Sequence, residues 1–101
     1  MGVLTRYGQR FSWDDDKRNL VRRMHGIDFV DVCRVFDRDV LEKYDDAHST
    51  SEDRWRGVGM LDDRFIFVAY TYRGDTIRFI TARLAEREEV QEYLAHFLAA
   101  P

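Results

Sequence analysis

Arginine is concentrated in the central part of this 101-residue chain, where it could bind phosphate. Residues 54–83 contain six Arg and three Asp, a local charge of +3, although the whole chain has a net charge of −3. A guanidinium group can donate two parallel hydrogen bonds to one phosphate, so this block favours a phosphate-containing ligand. The acidic balance of the whole chain, taken alone, argues against a nucleic acid partner. The arginines are also compatible with a structural role, in ion pairs with the surplus carboxylates.

Two further basic side chains, Lys17 and His25, are eight residues apart. In a helix this spacing is about two turns, so both side chains can lie on one face and act as cations or proton acceptors. His25 also directly precedes Gly26, where a basic residue commonly interacts with the end of a helix. The single cysteine, Cys33, lies in an apolar run, and we expect it to be a buried packing residue in a reducing compartment.

Three helices are predicted to position these residues. The first can be capped by Ser12 or Asp14 and ends at Gly26, and Asp28 can cap the second. The third begins near residue 85, after which apolar side chains recur at helical spacing. These side chains, which form a face suited to docking on a sheet, are Val90, Tyr93, Leu94, Phe97 and Leu98.

Strands are predicted around and between the helices, at residues 11–13, 40–44, 54–60, 64–73 and 76–83. The unbroken apolar run within residues 64–73 indicates a central strand covered on both faces. Gly74 and Asp75 have the residue types of a type II′ hairpin turn. Gly57 and Gly59 can mark places where another part of the chain approaches the backbone closely.

The pattern of elements predicts one α+β domain over residues 1–101. We expect a small twisted antiparallel sheet, a meander of about four strands, with two N-terminal helices and one C-terminal helix packed on it. No apolar segment is long enough to cross a membrane, and no secretory signal is visible.

The hairpin turn also predicts which arginines share a face of the sheet. Thr71 is expected to pair with Arg78 and Ile66 with Arg83, so that Arg78 and Arg83 lie on opposite faces. An arginine in a central strand is costly unless it belongs to a site or is paired. Arg78 therefore lies in a site or pairs with a carboxylate of the polar loop at residues 45–53. A register slip of one residue would reverse these faces.

Four groups of residues, covering about residues 11–93, together resemble the BrnT family. The first two groups are Phe11-Ser12-Trp13-Asp14 with Lys17, Asn19, His25-Gly26 and Phe29, and then Val35-Phe36-Asp37. The other two are His48-Ser49 with Glu52, Arg54 and Gly59, and then Tyr70-Thr71 with Arg73-Gly74-Asp75, Arg78, Ile80, Ala82-Arg83, Ala85, Glu89 and Tyr93. The sequence departs from the family pattern at Trp55, which replaces a smaller Phe, at Glu86, where Thr or a basic residue is common, and at Val90, where an Arg usually follows the Glu.

The resemblance implies a RelE-like fold and a ribonuclease toxin of a type II toxin–antitoxin system. Such a protein would act in the cytoplasm as an endoribonuclease, cleave RNA without a metal ion or other cofactor, and so arrest translation and growth. The implied partners are the RNA substrate and a BrnA-like ribbon-helix-helix antitoxin, in a complex of two toxins and two antitoxins. DNA would be contacted only through the antitoxin.

With this activity in view, we predict seven site residues. Phosphate binding and transition-state stabilisation are predicted for Arg54, Arg78 and Arg83. Lys17 and His25 are candidates for base or cation roles, and Glu89 and Tyr93 are candidates for acid–base or orienting roles.

Structural alternatives to these roles remain open. Arg54 can instead pair with Glu52 or Asp53, Glu89 can simply pair with Arg83, and Tyr93 can pack in the core. We expect His48 to be an ordinary loop residue.

Two other functions are also compatible with the sequence. The chain could be an inactive interaction module of the same fold, which its acidic pI favours. It could also be an RNA-binding domain without cleavage that stacks bases on Tyr70, Tyr72 and Phe79.

Overall fold

The computed structural model describes residues 1–98, which form one mixed sheet and three α-helices. The strands are β1 (Gly2–Arg6), β2 (Gln9–Trp13), β3 (Leu41–Tyr44), β4 (Trp55–Leu61), β5 (Arg64–Arg73) and β6 (Thr76–Leu84). Their order in the sheet is β1-β2-β6-β5-β4-β3. The helices are α1 (Asp15–His25), α2 (Phe29–Val32) and α3 (Arg87–Phe97), and two short 3₁₀ helices cover Cys33–Asp37 and Asp46–His48.

The α+β class, the three helices and an antiparallel meander of four strands, β3 to β6, are confirmed, but a wholly antiparallel sheet of about four strands is wrong. Within residues 1–98 the sheet has six strands, and β2 pairs with β6 in parallel. The strand missing from the prediction is β1, which forms a hairpin with β2 through Tyr7 and Gly8 at φ values of 49° and 81°. It alternates half-buried with exposed positions and has no unbroken apolar run, so its sequence signal is weak.

The predicted helix ends are confirmed by their capping contacts. The Asp14 carboxylate accepts hydrogen bonds from the backbone N–H groups of Asp16 and Lys17, at 2.8 and 3.2 Å. Gly26 ends α1 in the left-handed conformation, with φ of 65°. The Asp28 carboxylate caps α2, which is only one turn long and continues into a 3₁₀ helix. These caps determine where α1 begins and therefore where Lys17 lies.

The sheet is covered on both faces, as predicted for its central strand β5. The first face packs against α1, α2 and the 3₁₀ helix that follows, through buried side chains that include Phe11, Trp13, Phe29, Val35, Val68, Tyr70 and Phe79. The second face packs against α3, through a smaller cluster of Val58, Phe67, Ala69 and Tyr93. The part of the second face that α3 does not cover can therefore carry a surface site.

A bulge in the hairpin of β5 and β6 moves one predicted arginine to the other face. The pairing of Thr71 with Arg78 is confirmed, but a register shift follows at Ala69 and Tyr70, opposite Ile80. Beyond the shift, Arg83 pairs with Phe67, and the predicted pairing of Ile66 with Arg83 is wrong. The extra residue on β6 turns all later side chains to the opposite face. Arg83 thereby lies on the second face, together with Arg78.

The predicted close approaches at the two strand glycines are confirmed. A Cβ atom added at Gly59 would lie 2.6 Å from Cγ1 of the fully buried Val35. At Gly57 the added atom would lie 3.0 Å from the ring of Tyr70 and from a methyl group of Val40. Both glycines therefore let the connection between α2 and β3 pack directly on β4. None of the helices in the described part of the chain has the length and apolar character needed to cross a membrane.

Candidate active site

A cleft of about 530 Å³ brings together three of the predicted site residues. Lys17 comes from the first turn of α1, Arg54 from the residue before β4, and Arg78 from β6. His48, from the loop between β3 and β4, also lines this cleft. The acidic side chains of the cleft are Asp14, Asp16 and Glu52. The cleft thus joins elements that are far apart in the sequence.

Arg78 points into this cleft without a carboxylate partner. Its Nη1 lies 3.2 Å from the Met1 sulfur and 3.5 Å from the Ser12 hydroxyl oxygen. The alternative that Arg78 pairs with a carboxylate of the loop at residues 45–53 is not observed. A carboxylate of this loop, that of Glu52, instead lies 3.8 Å from Nη2 of Arg73. Within residues 1–98, neither Arg78 nor Lys17 forms a salt bridge.

Arg54 is held by the loop that precedes it. Its backbone N–H donates to the Ser49 hydroxyl at 2.9 Å, and its carbonyl oxygen accepts from the N–H of Asp45 at 2.8 Å. Its Nε is buried and has no hydrogen-bond acceptor among the described residues. The nearest carboxylate belongs to Asp45, at 3.6 Å, and not to the sequence neighbours suggested as partners. The guanidinium group is thus oriented but not saturated with hydrogen bonds.

A second cleft of about 410 Å³ adjoins the first on the same face of the sheet. It is lined by Arg83 from β6 and Glu89 from α3, and it shares Arg54 and His48 with the first cleft. The bulge in β6 creates this arrangement, because it turns Arg83 to the face that also carries Arg78. Arg54 and His48 therefore stand at the border between two clefts, each lined by both cations and carboxylates.

Arg83 and Glu89 form a close, two-bonded ion pair in the second cleft. The Arg83 Nη1 and Nη2 atoms donate to the two Glu89 oxygens at 2.8 and 3.0 Å, and the guanidinium lies 3.9 Å from the centre of the Phe67 ring. Burial acts to raise the pKa of Glu89, but the hydrogen bonds from Arg83 and from the Glu86 backbone outweigh it and lower that pKa. The pairing considered for Glu89 is thus present, and it neutralises much of the charge of Arg83.

Two predicted site residues lie outside both clefts. His25 is exposed in the last turn of α1, about 12 Å along the helix axis from Lys17, where it interacts favourably with the helix end. Tyr93 is buried between α3 and the second face, packs against Phe65 and Phe97, and donates from its hydroxyl to the Asp39 carbonyl. Their surroundings agree with the structural alternatives, a helix-end residue and a core residue.

His48 lies at both clefts, although we expected it from the sequence to be an ordinary loop residue. The 3₁₀ turn at residues 46–48 brings its Nδ1 to 3.0 Å from both oxygens of Asp45. Asp45 is buried, whereas the His48 side chain is 63% exposed. The available signal was the Asp-x-x-His spacing in a polar loop, which one helical turn converts into a contact.

The thiol of Cys33 and two of the three rings considered for stacking bases are buried. Burial raises the pKa of the Cys33 thiol to about 12, so it is a packing residue as expected. Tyr70 and Phe79 are buried, so the platform of three aromatic rings proposed for stacking bases does not exist, and only Tyr72 is exposed. Residues 1–98 contain no group of three or more His, Cys, Asp or Glu side chains that could hold a metal ion.

The fold and the two adjoining clefts define a small α+β protein with a charged surface, where cations that suit phosphate lie among carboxylates. Residues 13–89, more than half of the chain, match the family described as "Ribonuclease toxin, BrnT, of type II toxin-antitoxin system". The chain therefore belongs to the BrnT family, which confirms the resemblance seen in the sequence. The matched range contains Lys17, Arg54, Arg78, Arg83 and Glu89, as well as His25 and His48, whereas Tyr93 lies outside it.

The fold is also similar to a solved structure of a ribonuclease toxin. The crystal structure of the Brucella abortus ribonuclease toxin BrnT matches with a TM-score of 0.58 and 25% sequence identity. The match covers 76% of this chain and 96% of that chain. No curated protein matches the sequence.

Proposed function

We propose that this protein cleaves RNA in the clefts without a metal ion, and that this cleavage arrests translation and growth. The observation that supports the proposal best is the convergence of Lys17, Arg54 and Arg78 at one cleft, where Lys17 and Arg78 have no salt-bridge partner within residues 1–98. Cations without partners are the groups that an RNA phosphate can engage without first breaking an ion pair. The membership in a ribonuclease toxin family is consistent with this use of the surface.

Metal-independent RNA cleavage requires three contributions from the protein. A base takes the proton of the 2′-hydroxyl, cations stabilise the charge that grows on the phosphate oxygens, and the leaving 5′-oxygen is protonated. In our proposal Arg54 and Arg78 bind the non-bridging oxygens and supply most of the electrostatic stabilisation. Lys17 adds a third cation at the same cleft. Arg83 would bind a neighbouring phosphate from the second cleft only if its ion pair with Glu89 opened.

Substitution of Arg78 is the most direct test of the proposed site. We expect Arg78→Ala to slow cleavage of a single-stranded RNA by about 10²–10³-fold, since one transition-state contact is lost. The matched control is Arg64→Ala, an exposed arginine at the opposite end of the hairpin, about 23 Å along β5 from the partner of Arg78. Cleavage is followed on a gel in EDTA, which should leave the wild-type rate unchanged, and growth is measured after induced expression of the same variants.

Other outcomes of this assay point to other functions. Equal cleavage by Arg78→Ala and Arg64→Ala would place the site elsewhere, and loss of wild-type cleavage in EDTA would contradict metal independence. RNA binding without cleavage would indicate a non-cleaving RNA-binding domain. A folded wild type that neither binds nor cleaves RNA would indicate an interaction module.

The partner is proposed from the family alone. A type II toxin is held inactive by a protein antitoxin, and we propose a BrnA-like ribbon-helix-helix protein, in a complex of two toxins and two antitoxins, in the cytoplasm. DNA is then contacted only through the antitoxin. The RelE-like character of the catalytic face stays a prediction of the same kind.

A further inference from the structure

We propose that His48 is the base that takes the proton of the RNA 2′-hydroxyl, and that Asp45 is its positioning residue. This inference rests on the proposed ribonuclease function and assigns a step that the arginines and Lys17 leave open. His48 lies at the border of the two clefts, next to Arg54. A base at this border is within reach of the phosphate that the arginines bind.

His48 and Asp45 form a hydrogen-bonded pair. The Nδ1 atom of His48 lies 3.0 Å from both carboxylate oxygens of Asp45, so the carboxylate accepts the hydrogen that this nitrogen carries. The other ring nitrogen, Nε2, is then the unprotonated one and can accept a proton. The side chain is 63% exposed, so an RNA strand can reach this nitrogen.

Asp45 is a buried carboxylate. Its side chain is only 6% exposed, and a buried carboxylate is costly unless it serves nearby positive or donor groups. Its side-chain partners are His48 at 3.0 Å and Arg54 at 3.6 Å, and both face the clefts. Burial acts to raise the pKa of Asp45, but these partners and Arg56 outweigh it and lower that pKa. The carboxylate is thus ionised and stabilises the imidazolium that forms when His48 gains a proton.

Both cations and carboxylates surround His48. Those of the loop and of β4 are Asp45, Asp46, Glu52, Arg54 and Arg56, and those facing it from α1, β6 and α3 are Asp14, Asp16, Lys17, Arg78, Arg83 and Glu89. The cations attract the phosphate, while Asp45 compensates the charge that His48 acquires. Glu89 already neutralises Arg83. Within residues 1–98, the cations without a salt bridge in these clefts are Lys17 and Arg78, which line the first cleft.

The proposed step balances as follows. Nε2 of neutral His48 takes the 2′-hydroxyl proton while the 2′-oxygen forms a bond to phosphorus and the bond from phosphorus to the 5′-oxygen breaks. The products are a 2′,3′-cyclic phosphate and a 5′-hydroxyl, whose proton comes from water. The proton on His48 later returns to solvent and neutralises the hydroxide.

The test is the substitution His48→Asn in the full chain. The Asn side-chain amide can donate to Asp45 from the position of Nδ1, so the loop contact is kept while the base is removed. We expect the cleavage rate to fall by about 10²–10⁴-fold. Affinity for the all-2′-deoxy analogue of the same oligonucleotide, which cannot be cleaved, should change by less than about 3-fold. The matched control is His96→Asn, on the exposed side of α3.

The pH profile separates a base from a loop residue. The wild-type rate should rise with pH as the general base loses its proton, and His48→Asn should lose this rise. Asp45→Asn should give an intermediate loss of rate. If the wild type cleaves RNA and His48→Asn keeps its rate and pH profile, the inference is wrong while the proposed function stands. A wild type that cleaves no RNA overturns both.

Discussion

At the scale of single residues, the structure distinguishes arginines that are free to bind a ligand from those already in use. Arg78 has no carboxylate partner in the described part of the chain, and Arg54 has only a longer contact with Asp45, 3.6 Å from its Nε. Arg83 instead holds Glu89 through two hydrogen bonds and stacks on Phe67. From the sequence we predicted the same role for all three arginines, because residue type alone does not show what each side chain touches.

The pairing of Arg83 predicts that its loss destabilises the protein. We expect Arg83→Ala to lower the free energy of unfolding by about 1–2 kcal/mol, because the mostly buried Glu89 loses its partner and Phe67 loses a stacked cation. Urea-induced unfolding at pH 7 measures the change. Arg64→Ala, an exposed arginine, should stay within about 0.5 kcal/mol of the wild type. Equal stability of the two variants would show that the ion pair contributes nothing.

At the scale of elements, Asp28 connects the two N-terminal helices. Its carboxylate caps α2 by accepting from the Val30 N–H at 3.1 Å, and it receives two hydrogen bonds from Arg18 of α1 at 2.8 and 2.9 Å. The hydrogen bond from Arg18 is the main reason that the pKa of Asp28 is lowered, although burial opposes it. The ion pair therefore helps to set the angle between α1, which carries Lys17, and the rest of the first layer.

The lowered pKa of Asp28 predicts a pH dependence of stability. The unfolded chain binds the proton more readily than the folded protein, so the ion pair contributes its full stability above the ordinary carboxyl pKa of about 4 and loses it as the pH falls through the lower folded pKa. Asp28→Asn keeps a capping oxygen but removes the charge, so its stability deficit should disappear in acid. Asp28→Ala also loses the cap, about 1 kcal/mol at every pH. Urea unfolding from pH 2 to 7 checks both, and a deficit of Asp28→Asn that persists at pH 2 would contradict the ion-pair argument.

At the scale of the whole molecule, the position of the cations without salt bridges matters more for RNA binding than the net charge. Several arginines outside the clefts are paired with carboxylates, as in Arg6 with Asp37 and Arg34 with Asp62. Such pairs contribute nothing to the net charge of −3, whereas Lys17 and Arg78 of the first cleft form no salt bridge within residues 1–98. The sum of charges, which argued against a nucleic acid partner, does not describe the local field.

This distribution predicts the salt dependence of RNA binding. If Lys17, Arg54 and Arg78 each contact one phosphate, the affinity for an all-2′-deoxy oligonucleotide should fall with salt at a log–log slope of about −2, at roughly 0.7 per contact. Arg78→Ala should reduce the slope by about 0.7, whereas Arg64→Ala should leave it unchanged. Fluorescence anisotropy from 50 to 300 mM salt measures the slope. A slope near zero would show that binding does not use these cations.

The sequence by itself determined the local elements of this protein and its family. The caps at Asp14 and Asp28, the end of α1 at Gly26 and the hairpin turn at Gly74 depend on contacts within a few residues, so residue type and spacing are sufficient to predict them. The family was recognisable because many such local signals occur in one order. The edge strand β1 escaped prediction, because an edge strand that is half exposed needs little apolar sequence.

Only the tertiary structure decided which side chains meet at the site. One extra residue in β6 turns Arg83 to the face of the sheet that carries Arg78, and hydrophobic pattern alone does not reveal such a bulge because both faces of the sheet are covered. The same holds for His48, whose importance depends on the burial of Asp45 and on its position between two clefts. Burial and contacts between distant segments are properties of the packed chain, and no short stretch of sequence contains them.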